Sequence, residues 1–311
     1  MKSRCFGHGM RAAQVSSVFQ LSFLLLPALV ILAVAGEEAI EGTLLFLHVW
    51  KCGGTSLRKL LCDWAREEGL SCATVAACGK LSLDERKICL DKHRLIFPEK
   101  QEPFIAKQRV LAGHFRWGFQ SYVAEPHTLV TTLRNPLELF VSGEQYLHRK
   151  ATSTLPKATY FVANAMSRSL GKHPPGFLHR FVGHSVVTWD ELRGATIKAA
   201  YNLKTFSLVG VIEQYEGFIA VLKTLVDPSG RHDTLWDDHL NQKLNTSPVK
   251  STEVLASIDP GLVEKFNASL SYQWLVYGYA VGLYEDRCRE VLPQNVQSTL
   301  CSVPNPPAVY S

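Results

Sequence analysis

Two hydrophobic patterns alternate along the chain. One is the short apolar run, too brief for a helix. The other is a longer stretch with apolar positions three and four residues apart. Thr43 to Val49 (T-L-L-F-L-H-V) is of the first kind and reads as a buried parallel strand. After the loop Trp50-Lys51-Cys52-Gly53-Gly54, residues Leu57, Leu60, Leu61 and Trp64 fall on one apolar face of a helix. Thr55 or Ser56 is its expected cap. Further strands are predicted at Arg109–Ala112, Thr128–Leu133 and Phe206–Ile212. Asn135 with Pro136 behind it marks a helix start. Glu213 opens another helix, with Tyr215, Phe218, Ile219 and Leu222 on one side. The period through Leu262, Phe266, Leu270, Trp274, Tyr277 and Val281 predicts one last helix from Pro260 to Glu290.

Two stretches lack such periodicity. Residues 69–108 read as a covalently stapled insertion, and residues 150–185, rich in Ser, His and Pro with Lys150, Lys157, Arg168, Lys172 and Arg180, read as a long functional loop region. The prolines 304, 306 and 307 predict a disordered tail over 294–311. Strands alternating with helices imply an α/β fold: a three-layer α/β/α arrangement around a mostly parallel sheet. No internal repeat and no second domain boundary interrupts 44–293, which is read as one domain.

The N-terminus changes the picture. Lys2, Arg4 and Arg11 precede an uncharged run over 15–36, and Glu37, Glu38 and Glu41 follow it. A run of about 20 residues suffices to span a bilayer, and this charge order sends the rest of the chain into the lumen. The preferred reading is an uncleaved type II anchor, with residues 1–14 cytoplasmic and 37–43 a short stem. The alternative is a signal peptide cut after Ala33-Val34-Ala35. Either way the chain enters the secretory pathway.

Cysteine usage agrees with that compartment. Of eight cysteines, Cys5 falls on the cytoplasmic side and Cys52 lies in the glycine loop. The remainder are placed for disulfides, with Cys288–Cys301 the favoured pair and the pairing of Cys62, Cys72, Cys78 and Cys89 left open. Asn245 and Asn267 begin glycosylation sequons, the first weakened by Pro248. The net charge of +5 suits an anionic ligand. No motif for binding nucleic acid accompanies it. The histidines include no H-E-x-x-H or similar metal set.

Three motifs carry chemistry. His48-Val49-Trp50-Lys51-Cys52-Gly53-Gly54-Thr55-Ser56 places glycines between a strand and a helix, where backbone N–H groups cradle an anion. Lys51 adds charge; Thr55 and Ser56 add hydroxyl donors. The lysine precedes the glycines, whereas in the nucleotide-binding pattern G-x-x-x-x-G-K-[ST] it follows them. No magnesium carboxylate after a strand accompanies it, so a kinase or ATPase is disfavoured. In Leu133-Arg134-Asn135-Pro136, Arg134 sits at the carboxyl end of a strand, where open α/β sheets bind ligands. Its guanidinium offers a fork for phosphate, and Ser142 on the following helix a hydroxyl. Gly113-His114-Phe115-Arg116-Trp117 presents a loop histidine, the usual proton acceptor near neutral pH.

K-x-G-G-T-S followed by L-R-[DN]-P-x-x-x-x-x-S resembles the signature of the P-loop sulfotransferases, which use 3′-phosphoadenosine 5′-phosphosulfate (PAPS). The group most resembled is the Golgi heparan sulfate 2-O and 6-O sulfotransferases, over residues 44–290, with Val209-Gly210-Val211-Ile212-Glu213-Gln214-Tyr215 matching a further stretch. The resemblance implies a P-loop-type fold and a Golgi membrane enzyme that sulfates a glycan hydroxyl without a metal. Lys51, Gly53, Gly54, Thr55 and Ser56 would hold the 5′-phosphosulfate, and Arg134 and Ser142 the 3′-phosphate. His114 would be the catalytic base, with Lys51 stabilising the leaving phosphate. Arg116, Trp117, His148 and Arg149 would line the acceptor site. Relatives often carry Thr where this chain has Cys52, and that departure leaves an inactive glycan-binding module as the alternative. Neither the acceptor sugar nor the oligomeric state is legible.

Overall fold

The computed structural model describes residues 42–78, 87–91, 102–170, 177–183, 189–242 and 249–303. Every described residue belongs to one compact unit, Ala39–Ser311. The run over 15–36, Lys172, Asn245 and the tail prolines lie outside the described residues.

Six parallel strands form one sheet in the order β3-β2-β4-β1-β5-β6. They are β1 (Thr43–Leu47), β2 (Cys72–Cys78), β3 (Lys87–Asp91), β4 (Val110–Gly113), β5 (His127–Leu133) and β6 (Leu208–Val211). In register, Leu47 of β1 lies beside Gly113 on one side and Thr131 on the other. Every residue of β1, β4 and β6 is buried. A strand buried throughout must be covered on both faces, the situation that parallel sheets require.

The helices are α1 (Gly54–Glu67), α2 (Glu102–Ile105), α3 (Pro136–Leu147), α4 (Leu155–Ser169), α5 (Leu178–Val182), α6 (Trp189–Leu203), α7 (Tyr215–Val226), α8 (Asp233–Asn241), α9 (Ser251–Ala256), α10 (Pro260–Ala268), α11 (Ser271–Val291) and α12 (Gln294–Leu300). Helix α1 buries Leu57, Leu60, Leu61 and Trp64, the face its spacing predicts. Its cap is Gly53, in a left-handed conformation (φ 70°), without a side-chain bond from Thr55 or Ser56. The Gly53 carbonyl takes the amides of Ser56 and Leu57 instead. Asn135 caps α3 as expected, its side chain accepting from Leu137 N at 3.0 Å and Glu138 N at 3.3 Å. Such a cap contributes about 1 kcal/mol.

Four expectations are corrected. The stretch 69–108 supplies two parallel strands, β2 and β3, rather than an irregular insertion. The β2 sequence C-A-T-V-A-A-C has mostly small side chains, so its strand state comes from pairing with β4 more than from its own pattern. The expected loop at 150–185 holds α4 and α5; Ala158, Val162, Ala165 and Met166 make a buried stripe at helical spacing. The last helix is two, broken after Ala268. There Ser269 Oγ donates to the Phe266 carbonyl at 2.6 Å, and local bonds of this kind compete with the helix ladder. The tail forms α12, held by the Cys288–Cys301 disulfide and by Tyr284 OH donating to the Leu300 carbonyl at 2.6 Å.

Cys288–Cys301 is the pair expected from the sequence. Cys62–Cys72 joins α1 to β2, Cys89 is also disulfide-bonded, and Cys52 is free and buried. Disulfides fit a lumenal or secreted protein. Among the described residues no helix is long and apolar enough to cross a membrane. The sequon at Asn267 is not presented to solvent: the residue is 4% exposed and its Oδ1 accepts from Trp274 Nε1 at 2.8 Å.

Candidate functional site

The chain leaves β4 on one side of β1 and enters β5 on the other. Where strand order reverses, the loops at the carboxyl edge part and leave a crevice. The loops after β1, β4, β5 and β6 carry the residues of all three motifs to that edge.

The loop after β1 is held at both ends. Cys52 N donates to the Val49 carbonyl at 3.2 Å, and the Cys52 carbonyl accepts from Thr132 Oγ1 of β5 at 2.7 Å. Burial pushes the Cys52 thiol far up, so it stays protonated and its role here is packing. Lys51 adopts a left-handed conformation (φ 63°), which only glycine takes without strain. A Cβ at Gly53 would stand 2.7 Å from Ile212 Cδ1. Among the described residues no acceptor engages the amides of Gly53, Gly54 or Thr55. Three donors at a helix N-terminus, beside a lysine, form an anion cradle.

Further cations converge on it. Lys51 Nζ lies 4.6 Å from the centre of the Tyr146 ring, and Arg149 Cζ 4.2 Å from the same ring. Burial, and then the charges of Arg134 and Arg149, lower the lysine pKa. Arg134 Nη2 donates to Glu138 Oε2 at 2.7 Å, while its buried Nε has no partner among the described residues. An unmet guanidinium donor within a like-charged group suits an incoming anion. Ser142 is buried on α3. Glu213, after β6, fixes the Arg134 loop: its carboxylate accepts from Asn135 N at 2.8 Å and from Tyr277 OH at 2.8 Å.

His114 follows β4, its amide donating to the Val75 carbonyl of β2 at 2.9 Å. Its Nδ1 lies 3.0 Å from the carbonyl oxygen of His48. A carbonyl only accepts, so Nδ1 carries the proton and Nε2 keeps its lone pair. The ring stacks on that of His48, centroids 4.0 Å apart and planes 24° apart. Burial, then the charge of Arg180, pushes its pKa down to about 4, against the raising effect of the His48 carbonyl bond. His114 is therefore neutral at pH 7, the state a general base must start from. Arg180 Nη1 donates to the His114 carbonyl at 3.4 Å, and burial and Arg116 push the Arg180 pKa down to about 10.

The structure therefore brings Lys51, Gly53, Gly54, Thr55, Arg134 and Arg149 near one another, with His114 on the neighbouring strand end. Arg149 lies over the Tyr146 ring that Lys51 also meets. Trp117 is half-buried with its ring 5.7 Å from that of Phe206, so it is packed more than displayed. His148 rests on Phe161 at 4.2 Å. Arg116 remains half-exposed beside Arg180. Motif reading missed Tyr146, Arg58 and the place of Arg180 next to His114. Arg58 was detectable as one of two adjacent cations, with Lys59, near the start of α1; Arg180 had no local signal. Among the described residues no group of three or more His, Cys, Asp or Glu could hold a metal ion. No family model matches the chain, and no curated protein matches it.

Proposed function

We propose that the chain is a PAPS-dependent sulfotransferase acting on a glycan hydroxyl, lumenal and tethered to the Golgi membrane through its N-terminal run. The observation that carries this reading is the pairing of a neutral His114, its Nε2 keeping a lone pair, with the Lys51–Gly54 loop on the adjacent strand end. The chemistry of the donor set suits PAPS, which supplies an activated sulfuryl group and carries two separate anionic ends. The amides of Gly53, Gly54 and Thr55 with Lys51 suit one end; Arg134, with an unengaged Nε, suits the other.

The work left to the protein is largely positioning and electrostatics, as in phosphoryl transfer. His114 Nε2 takes the proton of the attacking sugar hydroxyl as the new oxygen–sulfur bond forms and the sulfur–oxygen bond to phosphate breaks. Lys51 and the loop amides offset charge on the leaving phosphate. Replacing Thr by Cys52 leaves these backbone donors in place. A base of this kind contributes about 10²- to 10⁴-fold.

The test is sulfate transfer from radiolabelled PAPS to a panel of glycans, using the secreted lumenal chain. Transfer by the wild type, lost in folded His114→Ala and Lys51→Ala, is the expected result. A folded wild-type protein that neither transfers sulfate nor binds PAPS would overturn the reading and favour a glycan-binding module.

A further inference from the structure

His48 stands at the first position after β1 and is 4% exposed. Its amide donates to the Gly113 carbonyl at 2.8 Å, which ties it to the end of β4. Its carbonyl faces His114 Nδ1, and its ring lies flat against the His114 ring. Phe46 also stacks on the ring, centroids 6.0 Å apart, and a further neighbour is the start of α1. A Cβ on Gly54 would stand 1.9 Å from His48 Cδ2 and 2.3 Å from His48 Nε2. The imidazole is thus a flat plate in contact with both the start of α1 and the ring of His114. His48 Nδ1 has no hydrogen-bond partner among the described residues, so no polar contact through that nitrogen explains the residue's place.

We infer that His48 is a positioning residue, whose ring sets the plane of His114 and its spacing from the Gly53–Gly54 loop. This rests on the sulfotransferase reading only for its consequence in catalysis; the geometric claim concerns His114 itself. The carbonyl bond to His114 would survive any substitution that keeps the backbone. The ring contact would not. Without it, water reaches the His114 face that the plate now covers, and the imidazole is free to tilt away from the cradle. The charged groups acting on this pair are Arg180 from α5, Arg58 from α1 and Lys51 from the loop. None is removed by a change at His48, so a shift in His114 titration reports the ring.

The experiment compares wild type, His48→Ala and His48→Phe by nitrogen-15 NMR of the histidine side chains, with His114→Gln assigning the signal. In the wild type His114 stays in the Nδ1–H form with a titration well below its ordinary value of 6.5. In His48→Ala the titration should move up toward 6.5, and the acid limb of kcat/KM should move with it. The kcat should fall by up to about a hundredfold, the cost typical of a misplaced reacting group. His48→Phe keeps a flat ring of similar size and should restore both the low titration and most of kcat. If His48→Ala does not fold, His48→Leu, which fills volume without a flat face, replaces it. An unchanged His114 titration in a folded variant would overturn the inference. Should no acceptor be sulfated at all, the NMR comparison still decides it.

Discussion

Glu213 accepts the backbone N–H of Asn135 at 2.8 Å, across 78 positions of sequence. Its other oxygen takes the hydroxyl of Tyr277 at 2.8 Å, and that tyrosine is 2% exposed. One carboxylate therefore ties the loop after β6 and helix α11 to the residue next to Arg134. Glu213→Ala should destabilise the fold by about 1–3 kcal/mol, the range for buried donors left without an acceptor. It should also weaken binding of adenosine 3′,5′-bisphosphate, because Arg134 loses its fixed neighbour. Glu213→Gln should lie between. Calorimetric titration and urea unfolding check both; unchanged affinity in Glu213→Ala would show that Arg134 is held without it.

Glycine substitutions should have opposite signs at two helical positions. A glycine inside an exposed helix costs about 1 kcal/mol relative to alanine. Gly282 of α11 has open space where a Cβ would go, so Gly282→Ala should raise stability by about 0.5–1 kcal/mol. Gly54→Ala would instead drive its methyl into the buried His48 ring, at a cost of about 1–3 kcal/mol. Thermal unfolding of the pair, with sulfate transfer as the second readout, decides. A stabilised, fully active Gly54→Ala would contradict the packing described for His48.

Tyr146 holds Lys51 and Arg149 over one ring. An exposed cation–π contact is worth about 0.5–1 kcal/mol. Tyr146→Leu should therefore weaken binding of adenosine 3′,5′-bisphosphate roughly two- to fivefold, through lost preorganisation. Tyr146→Phe should bind as the wild type does. Equal or tighter binding by the leucine variant would mean that the ring restrains the cations rather than presenting them.

His232 should make stability depend on pH. Its Nδ1 lies 2.8 Å from Glu67 and its Nε2 2.6 Å from Glu68, linking the end of α1 to the segment between α7 and α8. Burial alone would lower its pKa, but the hydrogen bonds to Glu68 and Glu67 raise it above the ordinary value. A raised folded-state pKa contributes stability that is complete below the unfolded pKa, about 6.5, and is lost as pH climbs through the folded value. His232→Gln should thus lower the Tm more at pH 5.5 than at pH 8.5. An equal loss at both would show that the proton on His232 contributes nothing.

What depends on neighbours in sequence was readable from the sequence. The apolar runs of β1 and β5, the one-sided apolar face of α1 and the Asn135–Pro136 helix start are set by contacts within a few residues. So is the order strand, glycine loop, helix. Bounds moved where a strand ended in a turn: Phe206 left β6 to pack on Trp117, and Ile212 began a short 3₁₀ turn. The small-residue strand β2 and the polar-coated helix α4 were not readable, because pairing with β4 and burial of one thin stripe define them.

The sequence by itself determined which residues are candidates for chemistry: a lysine and two glycines ahead of a helix, an arginine at a strand end, a histidine in a loop. Only the tertiary structure decided how they stand relative to one another. His114 gains its proton arrangement from His48, 66 positions away, and its neutrality from burial and from Arg180 on a different element. Arg149 and Lys51 meet through Tyr146. Tautomer, charge state and cation grouping follow from desolvation and distance between groups remote in sequence, and no local pattern records either.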